Sequence, residues 1–357
     1  MYTSGSTGNP KGVMLSHGNI VASIRTFPKY LGKNNFQKEI YIGFLPLSHI
    51  LELSCELSCI TAAVRIGYSS PLTLTDSSTG IIKGEKGDIS ILRPTIMATV
   101  PLILERISKV IQNKILQSGF LAQLLFQKAF DQKYEAFKNN RKTYLLDKII
   151  FDKIKTNALG GRVKVLYSGS ALLNEKVQVF SQVCLSPVYQ AYALTETCAG
   201  GTAQRYFETD TNVCGGLMPY TQIRLVDWDE GGYHNKDKPN PRGEIHIGGE
   251  IVALGYYKLA ELTKESFYHF NGVRFFATGD IGEMLPNGTL RIVDRKKDLV
   301  KLQGGEYVSL NKIETCLKLL PFIENCCVHA NSLFTFCVVF ICPNIDKLQA
   351  RVKFFSI

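Results

Sequence analysis

The stretch YTSGSTGNPKGV, residues 2–13, sets small, glycine and hydroxyl-bearing residues before a single lysine. Glycine lets the backbone adopt conformations closed to other residues and approach a ligand closely. Hydroxyl groups add hydrogen-bond donors and the lysine adds a mobile cation, so the segment can surround a polyanion. A solvent-exposed Gly/Ser linker is the alternative, and the compact Pro-Lys-Gly at the end disfavours it. The residues of this predicted phosphate-binding loop are Thr3, Ser4, Gly5, Ser6, Thr7, Gly8 and Lys11.

The loop differs from the P-loop of kinases and GTPases. That motif, G-x-x-x-x-G-K-[ST], runs directly into a helix whose first hydroxyl binds magnesium. Here Pro10 biases Asn9 away from helical angles, and Gly12 occupies the position of that hydroxyl. We therefore expect the magnesium ligand to come from another part of the chain.

The composition is that of an ordinary globular protein. The chain has 357 residues, 45% hydrophobic and 20% charged, enough for one large domain or two smaller ones. Its net charge of +10 suits an anionic partner such as a nucleotide, a coenzyme or a membrane surface, without choosing among them. We find no RNA-binding signature and no helix-turn-helix pattern, so we expect no nucleic-acid partner.

The ten cysteines form no C-x-x-C pair and have no histidine at zinc spacing. We expect reduced, mostly buried thiols in a cytosol-facing protein. No apolar run reaches the roughly 18 residues that a membrane helix needs. The longest candidate, LFTFCVVFIC from Leu333, is rich in β-branched and aromatic residues and predicts a buried strand.

Strand and helix patterns alternate after the opening loop. The segment SHGNIVASIRTF predicts a helix capped by Ser16, and IYIGFLPLSHI predicts a buried strand closed by Pro46. The helical pattern LELSCELSCITAAV follows. Strand, loop and helix in repeated order indicate an α/β sheet.

Residues 101–157 have a different character, with long, lysine-rich helical patterns. The simpler interpretation is a solvated helical face. The alternative is a basic patch that contacts an anionic membrane or ligand.

Two segments have the composition of a nucleotide site. The strand pattern RVKVLYSGSALL ends in a small-residue turn at residues 168–171, and ligands of open α/β sheets collect at the carboxyl ends of strands. In AYALTETCAGG, Tyr192 can stack on a purine, Thr195 can donate a hydrogen bond and Glu196 can bind Mg²⁺. An unremarkable surface loop is the alternative for the second segment.

Acidic and basic residues follow in the last third of the chain. IRLVDW and RGEIHIGG predict two antiparallel strands of a smaller β subdomain. In FFATGDIG, Asp280 follows a tight Thr-Gly turn, where its carboxylate can accept hydrogen bonds from ribose hydroxyls. Arg295, in DRKKDLVKLQGGEYVS, can reach the ribose or the α-phosphate, although such a charged run is also typical of a domain linker.

These motifs resemble, in order and wording, those of the AMP-forming acyl-adenylating enzymes, a superfamily that includes acyl-CoA synthetases and luciferases. The resemblance covers the chain up to about Asn344. The shared core motifs are YTSGSTGNPKG, YALTE, TGD and DRKKDLVK. Four further segments resemble the long-chain acyl-CoA synthetases of animals: YIGFLPLSHILEL, IGYSSPLTL, DKPNPRGEIHIGG and KDLVKLQGGEYVSL. A coumarate ligase or luciferase relative is therefore disfavoured.

The resemblance implies the α/β fold of adenylating enzymes and a two-step reaction. Residues 1–293 would form the large AMP-binding domain, and residues 294–357 the hinge and a truncated small α+β domain. A long-chain fatty carboxylate would attack the α-phosphate of Mg-ATP, and the thiol of coenzyme A would then displace AMP. The full-length parent would face the cytosol at the endoplasmic reticulum, the mitochondrial outer membrane or peroxisomes, with peripheral membrane contact.

The resemblance also assigns roles to residues. Lys11, Thr195 and Glu196 would be catalytic, with Thr195 on the α-phosphate and Glu196 on Mg²⁺. His49 would border the acyl pocket, although a lone histidine is more often structural. The adenine would contact Tyr192, Ser168, Gly169, Ser170 and Ala171, and the ribose Asp280 and Arg295. The hinge and the coenzyme A channel would involve Lys297, Lys301, Gly304 and Gly305.

The sequence departs from the family pattern at both ends and at two internal positions. The family's large domain begins well before the phosphate loop, and no residue near Lys353 matches the lysine that the small domain normally contributes to adenylation. We therefore expect little turnover by this chain, and a catalytically dead nucleotide-binding paralogue or splice form is the alternative. Ala193 replaces a usual glycine, which would cost about 1 kcal/mol if its φ were positive, and the change at Ser170 looks milder.

Overall fold

The computed structural model describes residues 1–3, 9–26, 36–206, 208, 210–320, 322–345 and 347–349. Most of the predicted phosphate-binding loop, Ser4, Gly5, Ser6, Thr7 and Gly8, lies outside the described residues. Thr3 and Lys11, on either side of it, are described and face each other across a pair of antiparallel strands.

The helices lie mainly in the first two thirds of the chain. They are α1 (His17–Ile24), α2 (Ile50–Thr61), α3 (Asp88–Leu92), α4 (Pro101–Leu116), α5 (Phe120–Lys138), α6 (Tyr144–Leu146), α7 (Asp152–Leu159), α8 (Glu175–Cys184), α9 (Ala260–Ser266) and α10 (Leu310–Leu317). A π-helical turn at Asp147–Phe151 joins α6 to α7. Short 3₁₀ turns occur at Phe36–Lys38, Thr195–Thr197, Asp229–Gly231 and Lys296–Asp298.

The strands are β1 (Tyr2–Thr3), β2 (Lys11–Met14), β3 (Ile40–Gly43), β4 (Arg65–Tyr68), β5 (Ile96–Thr99), β6 (Val165–Ser168), β7 (Val188–Ala193), β8 (Gly201–Ala203), β9 (Gly216–Leu217), β10 (Thr221–Val226), β11 (Arg242–Gly249), β12 (Gly255–Tyr256), β13 (Phe267–Phe270), β14 (Val273–Met284), β15 (Leu290–Arg295), β16 (Leu299–Lys301), β17 (Tyr307–Ser309), β18 (Ile323–Ala330) and β19 (Cys337–Pro343). They form sheets of the orders β4-β3-β5-β6-β7-β8-β9, β1-β2-β12 and β10-β11-β14-β13, with β15 beside β14, and the hairpins β16-β17 and β18-β19.

The seven-stranded sheet confirms the predicted α/β class. Its strands β4, β3, β5, β6 and β7 are parallel, so their carboxyl ends share one edge. Strands β8 and β9 continue the sheet in antiparallel pairing. Helix α2 packs on this sheet through Cys55 and Cys59, which cluster with Tyr41, Ile96 and Ala98. The predicted closure of β3 at Pro46 is three residues late, because the strand ends at Gly43.

Helix α1 begins where the sequence predicts. The Ser16 hydroxyl accepts a hydrogen bond from the Asn19 N–H at 3.1 Å, and the Asn19 side chain accepts one from the Ser16 N–H at 2.9 Å. This reciprocal cap satisfies two donors at the helix start. The Asn19 amide also donates to the carbonyls of Glu250 and Val252, at 2.7 and 3.0 Å, which fixes α1 to the chain before β12.

The chain divides into two compact units. Unit 1 comprises Met1–Arg224, His246–Thr278 and Met284–Arg291, and unit 2 comprises Leu225–Ile245, Gly279–Glu283 and Ile292–Ile357. The last segment of unit 2 begins two residues before the predicted boundary at 294. The division into domains 1–293 and 294–357 stays a prediction.

The hairpin β18-β19 corrects one prediction. LFTFCVVFIC does contain a strand, Cys337–Pro343, but that strand is not buried. Phe336 and Phe340 are 57% and 65% exposed. The inward residues of the hairpin are on β18, where the Glu314 carboxylate of α10 accepts a hydrogen bond from the Val328 N–H at 2.9 Å. Among the described residues, the helix covers one side of this two-stranded sheet and the other side is exposed, which the apolar content of the segment does not predict.

All ten cysteines are free, and six of them are buried, as expected. Over the ranges that the structure describes, no helix has the length and apolar character needed to cross a bilayer.

Candidate active site

The turn at residues 168–171 and the strand that bears Tyr192 are neighbours in unit 1. Strands β6 and β7 are parallel, with Ser168 opposite Gln190, so both segments lie at the carboxyl edge of the sheet. A side chain at Gly169 would lie 3.8 Å from the Ala191 carbonyl oxygen. Two segments predicted to flank a purine are thus brought together.

Backbone strain in this region lies at Ser170 rather than at Ala193. Ser170 has φ +73°, in the left-handed region that favours glycine, whereas Ala193 is in β7 and has no positive φ. The condition for strain at Ala193 is therefore not met, and Ser170, the change judged milder, is the strained position. A non-glycine residue in this conformation costs of order 1 kcal/mol.

Glu196 is held by Tyr256, a residue that none of the sequence motifs includes. It lies in the turn Thr195–Thr197 and is 6% exposed. Its carboxylate accepts a hydrogen bond from the Tyr256 hydroxyl at 2.8 Å. Burial and the adjacent Glu196 charge both raise the pKa of Tyr256 well above its usual value, so the hydroxyl stays a donor.

The same tyrosine contacts the lysine of the opening loop. The Lys11 ammonium lies 5.0 Å from the centre of the Tyr256 ring, in cation–π range. Strand pairing fixes this contact, because Tyr256 in β12 is opposite Val13 in β2. Lys11 and Glu196, 185 positions apart in sequence, therefore meet at one aromatic side chain.

The turn around Glu196 is held by several hydrogen bonds. The Glu196 carbonyl accepts a hydrogen bond from the Ala253 N–H at 2.9 Å. The Thr197 hydroxyl donates to the Gly200 carbonyl at 2.6 Å. A side chain at Gly201 would lie 2.2 Å from the Tyr192 carbonyl oxygen, so only glycine fits. The predicted surface-loop alternative does not describe this buried, hydrogen-bonded segment.

The residues present fit a magnesium ion that is shared with phosphates. Among the described residues, no three histidine, cysteine, aspartate or glutamate side chains come together to form a closed metal site. Mg²⁺ usually binds through one or two carboxylates plus substrate phosphates and water. Glu196, which shares the Tyr256 side chain with Lys11, matches that pattern.

In unit 2, Asp280 and Arg295 are paired. The Arg295 Nε is 3.1 Å from the Asp280 carboxylate, and the aspartate side chain is 5% and the arginine side chain 61% exposed. The prediction that Asp280 follows a tight turn is wrong, because β14 runs without a break from Val273 to Met284. Gly279, with φ +72°, is accommodated within the strand, and its N–H donates to the Glu244 carboxylate at 3.1 Å.

The predicted hinge residues surround a short turn. Lys297 lies in the turn Lys296–Asp298, between β15 and β16. Lys301 ends β16 and is opposite Tyr307 of β17. Gly304 and Gly305 lie in the connection between these strands, where Gly305 has φ +87°. Their roles in a hinge and in coenzyme A binding stay predictions.

His49 caps helix α2. Its Nδ1 accepts a hydrogen bond from the Leu51 N–H at 3.2 Å, and desolvation by the surrounding protein lowers the pKa of the ring. Three residues later, Glu52 is fully buried and accepts a hydrogen bond from the Tyr41 hydroxyl at 3.0 Å. Burial raises the pKa of Glu52 to about 7. The cap is a structural role for His49, and its place at an acyl pocket stays a prediction.

The sequence of this chain matches a known family. Residues 1–257 match the family of AMP-binding enzymes. The chain belongs to this family. Within it, the chain is similar to the long chain acyl-CoA synthetase 8 of Arabidopsis thaliana, 42% identical over 98% of this chain and 49% of the relative. It is 38% identical to the long-chain-fatty-acid–CoA ligase 1 of Schizosaccharomyces pombe, over 96% of this chain and 50% of that protein. The chain thus spans about half the length of these relatives.

Solved structures of AMP-binding enzymes have the same fold. The adenylation domain of a carboxylate reductase from Mycobacterium chelonae superposes with a TM-score of 0.68 at 26% identity, covering 99% of this chain and 48% of that one. The O-succinylbenzoate coenzyme A synthetase of Bacillus subtilis, solved with ATP and magnesium, gives 0.68 at 20% identity, over 96% of this chain and 59% of that one. The predicted adenylating-enzyme fold is confirmed.

Proposed function

We propose that this chain forms the ATP-binding part of a long-chain fatty acid–CoA ligase. The observation that carries the proposal is the Lys11–Tyr256–Glu196 arrangement, in which a cation and a buried carboxylate from distant segments share one tyrosine. Its support from the comparisons is the similarity to long-chain acyl-CoA synthetases over nearly all of this chain.

Each segment has a chemical role in this proposal. Lys11 binds the β- and γ-phosphates, as the cation at the end of the opening loop. Glu196 would hold Mg²⁺, which neutralises the phosphate charge when bound. The Tyr256 hydroxyl donates to one carboxylate oxygen of Glu196, and the other oxygen would bind the ion. Thr195 donates to the α-phosphate.

The nucleoside is recognised by groups of different character. The turn at residues 168–171 and Tyr192 contact the adenine, and the ribose hydroxyls donate to the Asp280 carboxylate. Arg295, largely exposed, supplies a cation to the ribose or the α-phosphate. Positioning and charge stabilisation dominate such phosphoryl-group chemistry.

The reaction has two displacements. A carboxylate oxygen of the fatty acid attacks the α-phosphorus of ATP, the bond to the β-phosphate oxygen breaks, and pyrophosphate leaves. The thiolate of coenzyme A then attacks the acyl carbon, and AMP leaves with the electron pair of the broken C–O bond. In this proposal Lys297 is a hinge residue for the change between the two steps. Lys301, Gly304 and Gly305 would lie near the coenzyme A channel, and His49 would lie at the acyl pocket.

The proposed setting is a cytosol-facing protein with peripheral membrane contact. Its support is limited to the basic helices of residues 101–157 and to the relatives, one of which is named a peroxisomal long chain acyl-CoA synthetase of Arabidopsis thaliana.

A chimera tests the proposal. This chain would replace the matching half of the Arabidopsis relative, and palmitoyl-CoA formation from palmitate, ATP and coenzyme A would be measured. We expect turnover that falls at least about 10³-fold in Glu196→Ala, through loss of the metal ligand. The exposed Glu265→Ala is the matched control and should stay within about twofold. A chimera that binds Mg-ATP without turnover would favour the nucleotide-binding alternative.

A further inference from the structure

A cavity of about 1140 Å³ lies within unit 1, away from the residues of the candidate active site. It is bordered by α4, by the beginning of α5, by the π-helical turn and α7, and by the loop of residues 71–79. Its volume slightly exceeds the roughly 300–1,000 Å³ typical of small-molecule sites. Among the described residues, neither Lys11, Tyr192, Glu196 nor the turn at 168–171 borders it.

One wall of the cavity is an isoleucine stripe on α4. Ile103, Ile107, Ile111 and Ile115 recur at intervals of four, which places them on one face of the helix. All four line the cavity. This wall offers a continuous aliphatic surface of about three helical turns.

The facing wall depends on the π-helical turn. Ile149 and Ile150 come from this turn, and Ile154 and Ala158 follow on α7. The turn is held in place by Phe151, which is 2% exposed, with the Lys133 ammonium 4.2 Å from its ring centre. Such π-helical insertions occur frequently at functional sites.

The rim of the cavity is basic. Arg106, Lys109, Lys114 and Lys153 border it and are exposed. The acidic side chain at the border is Asp76, and one of its carboxylate oxygens accepts hydrogen bonds from the Gly87 N–H and the Ser90 hydroxyl, both at 2.8 Å. Aliphatic walls with four exposed cations at the border match a ligand with a long apolar chain and an anionic head. The walls include one aromatic ring, Phe126, and so suit a nucleobase poorly.

We propose that this cavity binds a long-chain acyl anion, either a fatty carboxylate or its coenzyme A thioester. The chain lies between the two isoleucine walls and the anionic head meets the basic rim. This second site does not rest on the proposed ligase function, because it uses none of the ATP-binding residues.

Photolabelling of the 357-residue chain tests the site without nucleotide. The probe is palmitate with a diazirine near the end of its chain, and labelled peptides are located by mass spectrometry. We expect labels within residues 103–115 and 149–158. Labels confined to other segments, such as the region of His49, would overturn the proposal and would bear instead on the acyl pocket of the ligase.

Charge and chain length provide two further readouts. Lys114→Glu with Lys153→Glu should reduce labelling of the cavity at least about tenfold, since two charge-assisted contacts are reversed. Lys128→Glu with Lys176→Glu makes the same change in net charge away from the cavity and should leave labelling within about twofold. Equal labelling in the two double variants would contradict the proposal. Circular dichroism checks that both fold, and if the first does not, the position of the label in the unsubstituted chain decides.

Competition by unlabelled lipids identifies the anion. Affinity should fall about fourfold for each methylene removed from the fatty acid, as burial of the chain requires. Hexadecanol, which lacks the charge, should compete about tenfold more weakly than palmitate. Comparison of palmitate with palmitoyl-CoA shows which of the two acyl anions the site prefers. A competitor series without dependence on chain length would overturn the proposal.

Discussion

Two buried carboxylates of this protein, Glu196 in unit 1 and Asp280 in unit 2, have partners of different charge. Glu196 accepts a hydrogen bond from the neutral Tyr256, whereas Asp280 is paired with the cationic Arg295. A neutral donor orients a carboxylate and leaves its negative charge available, and an arginine offsets that charge. The first arrangement suits a metal cation, and the second suits the hydroxyl groups of a sugar.

A third buried carboxylate, Glu52, sharpens this comparison through pH. Its folded-state pKa of about 7 lies above the usual 4.5 because burial disfavours the charged form. Protonated Glu52 contributes its full stabilisation to the folded state below pH 4.5, and this contribution is lost as the pH rises through 7. Between pH 4.5 and 8 the free energy of unfolding should therefore fall by about 3 kcal/mol more in the unsubstituted chain than in Glu52→Gln. Urea unfolding at the two pH values measures this difference. An equal change in unfolding free energy in the two proteins would contradict the raised pKa of Glu52.

Lys11 tests whether the unit 1 site binds phosphate. Lys11→Ala should weaken ATP binding about 10- to 100-fold, because a charge-assisted contact to phosphate is lost. Isothermal titration calorimetry measures the dissociation constant. Lys176→Ala removes an exposed lysine of the same unit and serves as the control. Similar affinities in the two variants would separate Lys11 from the nucleotide.

Tyr256 tests the neutral partner itself. Tyr256→Phe keeps the ring near Lys11 but leaves the buried Glu196 oxygen without its donor, which should cost about 1–3 kcal/mol of unfolding free energy. The neighbouring Tyr257, 59% exposed, gives the matched control Tyr257→Phe. If both variants unfold at the same denaturant concentration, the hydrogen bond contributes nothing.

The smallest effect is expected at the adenine-side turn. Ser170→Gly should stabilise the fold by about 1 kcal/mol, since glycine adopts the observed φ of +73° without strain. Ala193→Gly should do the reverse, by roughly 0.5–1 kcal/mol, because glycine weakens a strand. Thermal unfolding distinguishes the two, and a gain at position 193 would show that the strain is assigned to the wrong residue.

Local chemistry was predictable from the sequence, and long-range pairing was not. The Ser16 cap, the helices of residues 101–157 and the turn after β6 depend on neighbouring residues, and their motifs were sufficient. The role of Tyr256 was not predicted, because it arises from the pairing of β12 with β2, about 240 positions earlier in the sequence. No local sequence motif predicts such a long-range contact.

Burial and backbone angle were also beyond the sequence. The apolar run from Leu333 predicts a strand correctly, but its exposure depends on which face α10 covers. The φ values at Ser170 and Ala193 depend on how each turn joins its strand, and the family pattern alone did not show that Ser170 has the positive φ.

The most direct test of the central claim compares the magnesium dependence of ATP binding in two amide variants. Both Glu196→Gln and Asp280→Asn remove one negative charge while keeping the side-chain shape. If Glu196 holds the metal and Asp280 the ribose, the affinity for ATP should become nearly independent of Mg²⁺ in Glu196→Gln and stay magnesium-dependent in Asp280→Asn. Full magnesium dependence in Glu196→Gln would contradict the account.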